Sequence, residues 1–200
     1  MQDNLDEKFS QLRKEFDILS AALYKDLLVI QEQIKIDDNQ TWRRSYTKAM
    51  FSAIESQISS IESHIKVTGE FAHLALSEDE EVILYNKSST GKKPKKLSFA
   101  EKSLFILNLF SEVNYSFLKI DNQSVKWGQF KTFIKIRNRI THPKHSSDVD
   151  ISDEEILICE KAFNDFQTTM QILFQKSGEA LEEFANRLSV ALNGMKNNDI

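Results

Sequence analysis

The apolar positions of the first 36 residues recur every three or four residues, which is the spacing of one face of an α-helix. A stripe this long and narrow is typical of a helix that packs in a bundle or pairs with another helix. Asp37-Asp38-Asn39 then reads as a turn that caps the next helix, so the first helix is predicted to end near Ile36. The stripe consists of Leu5, Phe9, Leu12, Phe16, Leu19, Leu23, Leu27, Ile30 and Ile34.

A second amphipathic pattern predicts a helix from about Gln40 to Val67, ending before Thr68-Gly69. Three charged residues, Arg43, Arg44 and Glu55, stand out along this helix. The pattern leaves open whether they face solvent, and Glu55 lies on the shoulder of the apolar stripe, where partial burial is also consistent with the spacing. The apolar face consists of Trp42, Tyr46, Met50, Ile54, Ile58, Ile61 and Ile65.

Residues 70–97 interrupt the helical pattern as an irregular insertion. Residues 71–76 are predicted as a short helix, while residues 82–85 fit a short strand or a helical turn. Residues 86–96 have the composition of a loop, whose lysines either contact a polyanion or simply face water. These lysines are Lys92, Lys93, Lys95 and Lys96.

Capping signals predict the next two helices. Ser98-Phe99-Ala100-Glu101 is a capping box that opens a helix through about Asn114. Ser124 caps the following helix. Because a residue before proline disfavours the helical conformation, Pro143 is expected to end that helix at His142.

A second capping box, Ser152-Asp153-Glu154-Glu155, opens the last helix. Ser177-Gly178 is a candidate break in it, and Asn193-Gly194 is its predicted end, which leaves residues 194–200 as a frayed tail. The whole chain, residues 1–200, is therefore predicted as a single all-α domain. We expect an up-and-down bundle of about five main helices, in which the first, second and last are long.

Composition supports this interpretation and excludes several other classes. The chain has only 5 Gly, 2 Pro and 1 Cys, so it has few helix breakers and cannot form an intrachain disulfide. It has no apolar run of membrane-spanning length, and its first residues are polar and acidic, unlike a signal peptide. We therefore expect a cytoplasmic protein without a membrane segment. His64 and His73 lack the spacing of metal ligands, so no metal site is expected.

Charge is concentrated in one segment of a chain whose net charge is −4. From Lys119 to His145 there are seven Lys or Arg against one Asp, a local net charge of +6. Five acidic residues follow between Asp148 and Glu155. The basic segment is either a solvated helix face or a surface for a polyanion.

The basic segment contains Arg137-Asn138-Arg139-Ile140-Thr141-His142 at the predicted helix end. Arginine offers a permanent charge and forked donors that suit phosphate oxygens, and histidine exchanges a proton near neutral pH. Asn138 and His142 are four residues apart and share a helix face, whereas Arg137 and His142 are separated by about 140° around an ideal helix. They would converge only at a frayed helix end or across a dimer interface.

This motif, in this helical context, resembles that of the HEPN superfamily (higher eukaryotes and prokaryotes nucleotide-binding domain). Family members are bundles of four or five helices. Their hallmark is Arg, usually followed by Asn or another polar residue, with His four to six residues after the Arg, near the end of the penultimate main helix. The segment from Trp42-Arg43-Arg44 to Ala53-Ile54-Glu55 is similar to the polar-then-acidic second helix of the family. The resemblance covers residues 5–175.

The resemblance implies a metal-independent endoribonuclease of a bacterial defence or toxin–antitoxin system, without a cofactor. Two motifs would meet in a homodimer, where one His142 acts as general base, the second His142 as general acid, and Arg137 stabilises the transition state. Asn138 would orient the histidine or a phosphate oxygen. The expected partners are RNA and a regulatory, antitoxin or sensor protein. The expected supporting or RNA-binding residues are Glu55, Arg43, Arg44, Lys135, Arg139 and Lys144.

The sequence also fits a second function. A non-catalytic helical module could bind a partner through the narrow stripe of the first helix, or hold a nucleotide through Arg137 and the lysine loop. Neither the RNA target nor the activating partner follows from the residues.

Overall fold

The protein is described by a computed structural model over residues 2–72, 76–85 and 96–198. In these ranges it consists of six α-helices and one short 3₁₀ helix, Ser146–Val149, and contains no strand. The predicted all-α class is therefore confirmed, with one short helix more than expected. The helices are α1 (Gln2–Ile36), α2 (Gln40–Ala72), α3 (Glu78–Tyr85), α4 (Phe99–Val113), α5 (Val125–Thr141) and α6 (Asp153–Asn198).

Helix α2 is the central element of the fold. It packs along α1, to which residues 37–39 join it, and it also contacts α3, α4, α5 and α6. Met50, Ile54 and Ile65 of its apolar stripe are completely buried. Because α2 contacts every other α-helix, its side chains contribute to the packing of all of them, including α5, which carries the Arg137–His142 motif.

Aromatic side chains fill the core between α2, α4, α5 and α6. The ring of Phe51 lies 4.9 Å from that of Phe99 and 5.8 Å from that of Phe133. Phe130 stacks on Phe166 at 5.4 Å. Full burial of each such side chain contributes about 1.5–3 kcal/mol, so these contacts hold α5 firmly against the bundle.

The capping predictions for α4 and α5 are confirmed. Ser98 and Glu101 form both hydrogen bonds of the capping box at the start of α4. The Ser124 hydroxyl accepts the backbone N–H of Trp127 at the start of α5, and His142 is the C-cap at its end.

Three predicted breaks or ends in α2 and α6 are wrong. Helix α2 continues through Thr68-Gly69 to Ala72, and α6 continues through Ser177-Gly178 and Asn193-Gly194 to Asn198. A glycine inside a helix costs only about 1 kcal/mol, which packing on either side offsets. In α6 that packing includes the buried side chains of Leu173 and Ser177.

The irregular region is partly helical. Residues 82–85 form the end of α3 rather than a strand, with Val82 and Leu84 buried. Phe71 and Ala72 belong to the last turn of α2, whereas residues 73–75 of the predicted short helix lie outside the described residues. Most of the lysine loop, residues 86–95, also lies outside them.

Candidate functional site at the end of α5

Helix α5 has an apolar face that anchors it and a polar face that points to solvent. Along the polar face, Lys131, Lys135, Asn138 and His142 recur at intervals of four, three and four residues, and all four are exposed. This spacing places them in one stripe opposite the core. The buried residues of α5 are Trp127, Phe130, Phe133, Ile134, Ile136 and Ile140.

His142 lies at the point where the chain leaves α5. Its backbone N–H donates to the carbonyl oxygen of Asn138 at 3.0 Å, and its φ of −126° and ψ of 59° are no longer helical. Its imidazole is exposed and forms no hydrogen bond with any residue in the described ranges. Both ring nitrogens are therefore available to a ligand.

Arg137 lies on the opposite side of α5, against α2. Its guanidinium carbon is 4.3 Å from the centre of the Phe51 ring, and its Nη2 is 3.7 Å from Oε2 of Glu55. Its Nη1 donates to Oδ1 of Asn138 at 3.2 Å. The side chain is 25% exposed, so it remains partly accessible to solvent. A ring face, a carboxylate and an amide thus fix its orientation.

The structure brings together Arg137, Glu55 and Asn138, but not His142. Within the described residues, no hydrogen bond or ion pair links Arg137 to His142. The angle of about 140° between their positions on α5 directs one toward α2 and the other outward. One chain therefore presents the two groups on different sides of the same helix end.

Phe51 is a site residue that the sequence did not indicate. It is buried in the core, and its ring forms the floor under the guanidinium of Arg137. Its position four residues before Glu55, on the same face of α2, is the signal that could have revealed it.

Arg43 and Arg44, at the start of α2, contact the loop that follows the motif. Arg43 forms a forked contact with Asp38, an ion pair of 2.7 Å with Asp153 and a hydrogen bond of 3.0 Å to the carbonyl of Ile151. The contact with Arg43 holds the pKa of Asp38 below its usual value. Arg44 donates to the carbonyl of Val149 at 3.1 Å. These donors are engaged within the protein rather than directed to solvent.

Arg139 holds the same loop from the side of α5. Its Nη2 donates to the carbonyl oxygen of Asp150 at 2.8 Å and to Oε2 of Glu155, in the first turn of α6, at 2.9 Å. Three guanidinium groups, those of Arg43, Arg44 and Arg139, therefore bind three successive carbonyls of the loop. We call this arrangement the arginine clamp. It supports the peptide that leaves His142, which gives these three arginines a structural role.

Hydrogen bonds also hold the first residues of this loop, directly after Pro143, in place. The carboxylate of Asp148 accepts the backbone N–H groups of Lys144 at 2.8 Å and His145 at 2.9 Å, and these bonds lower the pKa of Asp148. Lys144 and Lys135 have exposed side chains without an ion pair to any described residue. Of the predicted RNA-binding cations, these two are free to meet a phosphate.

Other candidate chemistry is absent from the described part of the chain. It contains no group of three or more metal-ligating side chains. Burial of Cys159 raises the pKa of its thiol to about 12, so this thiol stays protonated and is a poor nucleophile near neutral pH. None of the described helices combines the length and apolar character needed to cross a bilayer.

Comparisons of the chain with protein-family models, with curated proteins and with solved structures each give no match.

Proposed function

We propose that this protein is a metal-independent endoribonuclease of the HEPN type that acts as a homodimer. The observation that carries the proposal is the presence, at one helix end, of an exposed histidine and of an arginine held in place by Phe51 and Glu55. An imidazole without a protein partner can exchange protons with a substrate. A fixed, partly open guanidinium can stabilise charge on a phosphate.

The proposed reaction is attack of a ribose 2′-hydroxyl on the adjacent phosphorus. His142 of one chain accepts the proton of the 2′-hydroxyl while the new oxygen–phosphorus bond forms. The bond to the 5′-oxygen breaks, and this oxygen takes a proton from His142 of the second chain. The products are a 2′,3′-cyclic phosphate and a 5′-hydroxyl. Arg137 stabilises the extra negative charge of the transition state, and proton transfer of this kind contributes about 10²- to 10⁴-fold to the rate.

The divergence of Arg137 and His142 supports a composite site. Arg137 faces α2 and His142 faces outward, so a second chain that brings its own His142 to the first chain's Arg137 would complete the pair. Asn138 accepts a hydrogen bond from Arg137 through its oxygen, which leaves its amide N–H groups for a phosphate oxygen. Lys135 and Lys144 would bind neighbouring phosphates. A role in bacterial defence or in a toxin–antitoxin pair, in the cytoplasm and under a regulatory partner, follows from the HEPN resemblance.

The test is cleavage of a single-stranded RNA by the purified protein between pH 6 and 8, with and without EDTA. We expect cleavage that EDTA does not affect and that His142→Ala reduces at least about 100-fold. His145→Ala is the matched control, because His145 is an exposed histidine three residues away in the same loop. Thermal unfolding of both variants should match that of the wild type. Loss of cleavage in EDTA, or equal cleavage by His142→Ala, would contradict the proposal.

A second candidate is a non-catalytic module that binds a partner through α1. Its outward surface exposes several large apolar side chains, of which Ile36 is 77% exposed. The others include Ile18, Leu28 and Val29. In cells, equal effects of wild type and His142→Ala, together with a loss of effect in Leu28→Lys, would favour this module over the enzyme.

A further inference from the structure

The turn after α4 holds two aromatic residues in left-handed backbone conformations. Tyr115 has a φ of 57° and Phe117 a φ of 49°. A side chain with a Cβ atom is disfavoured in this region, and a bulky aromatic residue there is a genuine outlier. Two such residues within three positions mean that the rest of the structure enforces this conformation.

Buried polar groups at the end of α4 enforce it. The carbonyl of Ser111 accepts the backbone N–H of Ser116 at 2.9 Å and that of Phe117 at 3.4 Å. The hydroxyls of Ser111 and Ser116 are 2.7 Å apart, and the Asn114 side chain donates to the carbonyl of Phe110 at 2.8 Å. Ser111 and Asn114 are both buried, so this hydrogen-bond network belongs to the folded core and is shielded from competition by water.

The strained turn directs two rings into solvent. Phe117 is 67% exposed and Tyr115 is 53% exposed, and their ring centres are 6.5 Å apart in an edge-to-face arrangement. Because these exposed rings bury little apolar surface on folding, their burial does not offset the free-energy cost of the strained backbone. Strain of this kind, held in place by its surroundings, is typical of a binding surface.

Unpaired lysines identify the chemistry of the ligand. Lys119 follows two residues after Phe117, whereas Lys131 and Lys135 lie farther along α5, on its outward face toward His142. All three lysines are exposed and form no ion pair with described residues. Residues 118–120 line the same cleft as Trp127, so the turn lies beside the first turns of α5. Two exposed aromatic rings with one unpaired lysine nearby, and two more along α5 toward His142, match an unpaired nucleic-acid strand, whose bases stack while its phosphates bind lysines.

We infer that Tyr115 and Phe117 form a stacking platform for unpaired bases of the RNA that His142 cleaves; this inference rests on the proposed function. Helix α5 has 17 residues, or about 25 Å, between the platform and His142. The platform therefore holds bases several nucleotides away from the reacting phosphate. An unpaired strand is also required by the chemistry, because the 2′-oxygen must rotate into line with the leaving oxygen.

The experiment measures the affinity of the full chain for a fluorescein-labelled single-stranded RNA of 12 nucleotides. All variants carry His142→Ala so that the RNA stays intact. Phe117→Gly should raise the Kd about 5- to 100-fold, the range that loss of one or two stacked bases produces. The same variant should unfold at an equal or higher temperature, because glycine adopts the left-handed region without steric cost. A residue with a purely structural role would not combine these two effects.

Tyr24→Ala is the matched control, since it removes an exposed aromatic ring from α1. It should leave the Kd unchanged. An unchanged Kd for Phe117→Gly, or equal affinity for a blunt RNA duplex of the same length, would overturn the platform even if the wild type cleaves RNA. A Kd that rises for Phe117→Gly, in a protein whose wild type cleaves no RNA, would support the platform and overturn the proposed nuclease instead.

Discussion

The guanidinium carbon of Arg137 lies 4.3 Å from the centre of the Phe51 ring. Because Phe51 is fixed among other core rings, this contact sets the direction of a surface arginine from inside the molecule. Glu55 lies one helical turn further along α2, and its carboxylate attracts the guanidinium of Arg137 toward α2. Arg137 is thereby committed to the α2 side, which His142 of the same chain does not face.

The first prediction concerns complementation between two inactive chains. Arg137→Ala and His142→Ala should each reduce RNA cleavage at least about 100-fold. When both are co-expressed with different affinity tags, the purified mixed dimer holds one Arg137 and one His142, on different chains. We expect it to cleave more slowly than the wild type, because one of the two histidines is missing, but faster than either single-variant homodimer. The measurement is initial cleavage rate at equal dimer concentration.

The matched control pairs a wild-type chain with a chain that carries both substitutions, so it holds one Arg137 and one His142 on the same chain. If this control cleaves faster than the mixed dimer, the two residues act within one chain. A dimer in which both chains carry both substitutions provides the background rate.

The second prediction concerns the arginine clamp. Arg139→Gln removes a charge that binds the Asp150 carbonyl and Glu155, so the free energy of unfolding should fall by about 1 kcal/mol. RNA affinity in the His142→Ala background should change less than twofold, because the guanidinium is already engaged. Urea unfolding and RNA titration measure the two effects. A large loss of affinity at unchanged stability would place Arg139 in the RNA interface instead.

The third prediction concerns Lys135, whose ammonium group is exposed on the outward face of α5. Lys135→Gln should leave stability unchanged and weaken RNA binding at low salt. The slope of log K against log salt concentration should become shallower by about 0.7, the value for one phosphate contact on a single strand. Lys48→Gln, at an exposed position of α2, is the control for charge alone. Equal slopes for the two variants would exclude a contact between Lys135 and RNA.

The fourth prediction concerns His64, whose ring lies 4.9 Å from that of Phe9 and 5.4 Å from that of Phe110. Burial lowers the pKa of His64 from its usual 6.5. Below about pH 6.5 the unfolded chain therefore binds a proton that the folded chain resists, and the free energy of unfolding falls as the pH falls. Above that pH the stabilising contribution is complete.

His64→Phe should therefore lose less stability than the wild type between pH 7.5 and 5.5, as measured by urea unfolding. His142 and His145 are present in both proteins and cancel in the comparison. An identical pH dependence would mean that His64 titrates equally in the folded and unfolded chains.

Much of the fold follows from local patterns in the sequence. The capping box at Ser98 and the cap at Ser124 place the starts of α4 and α5, and Pro143 places the end of α5. Breaker residues inside long helices are less informative. Gly69 and Gly178 lie within α2 and α6, because the cost of one glycine is smaller than the packing energy of the turns around it.

The sequence by itself determined the helical class, the limits of α5 and the position of the Arg-x4-His motif, since helix periodicity and capping depend on residues a few positions apart. Only the tertiary structure decided which charged groups remain free. Arg44 finds its carbonyl partner 105 residues away, and Arg137 rests on a ring of another helix, while Lys135 meets no partner among the described residues. Such contacts depend on how distant helices pack, and no local spacing encodes them.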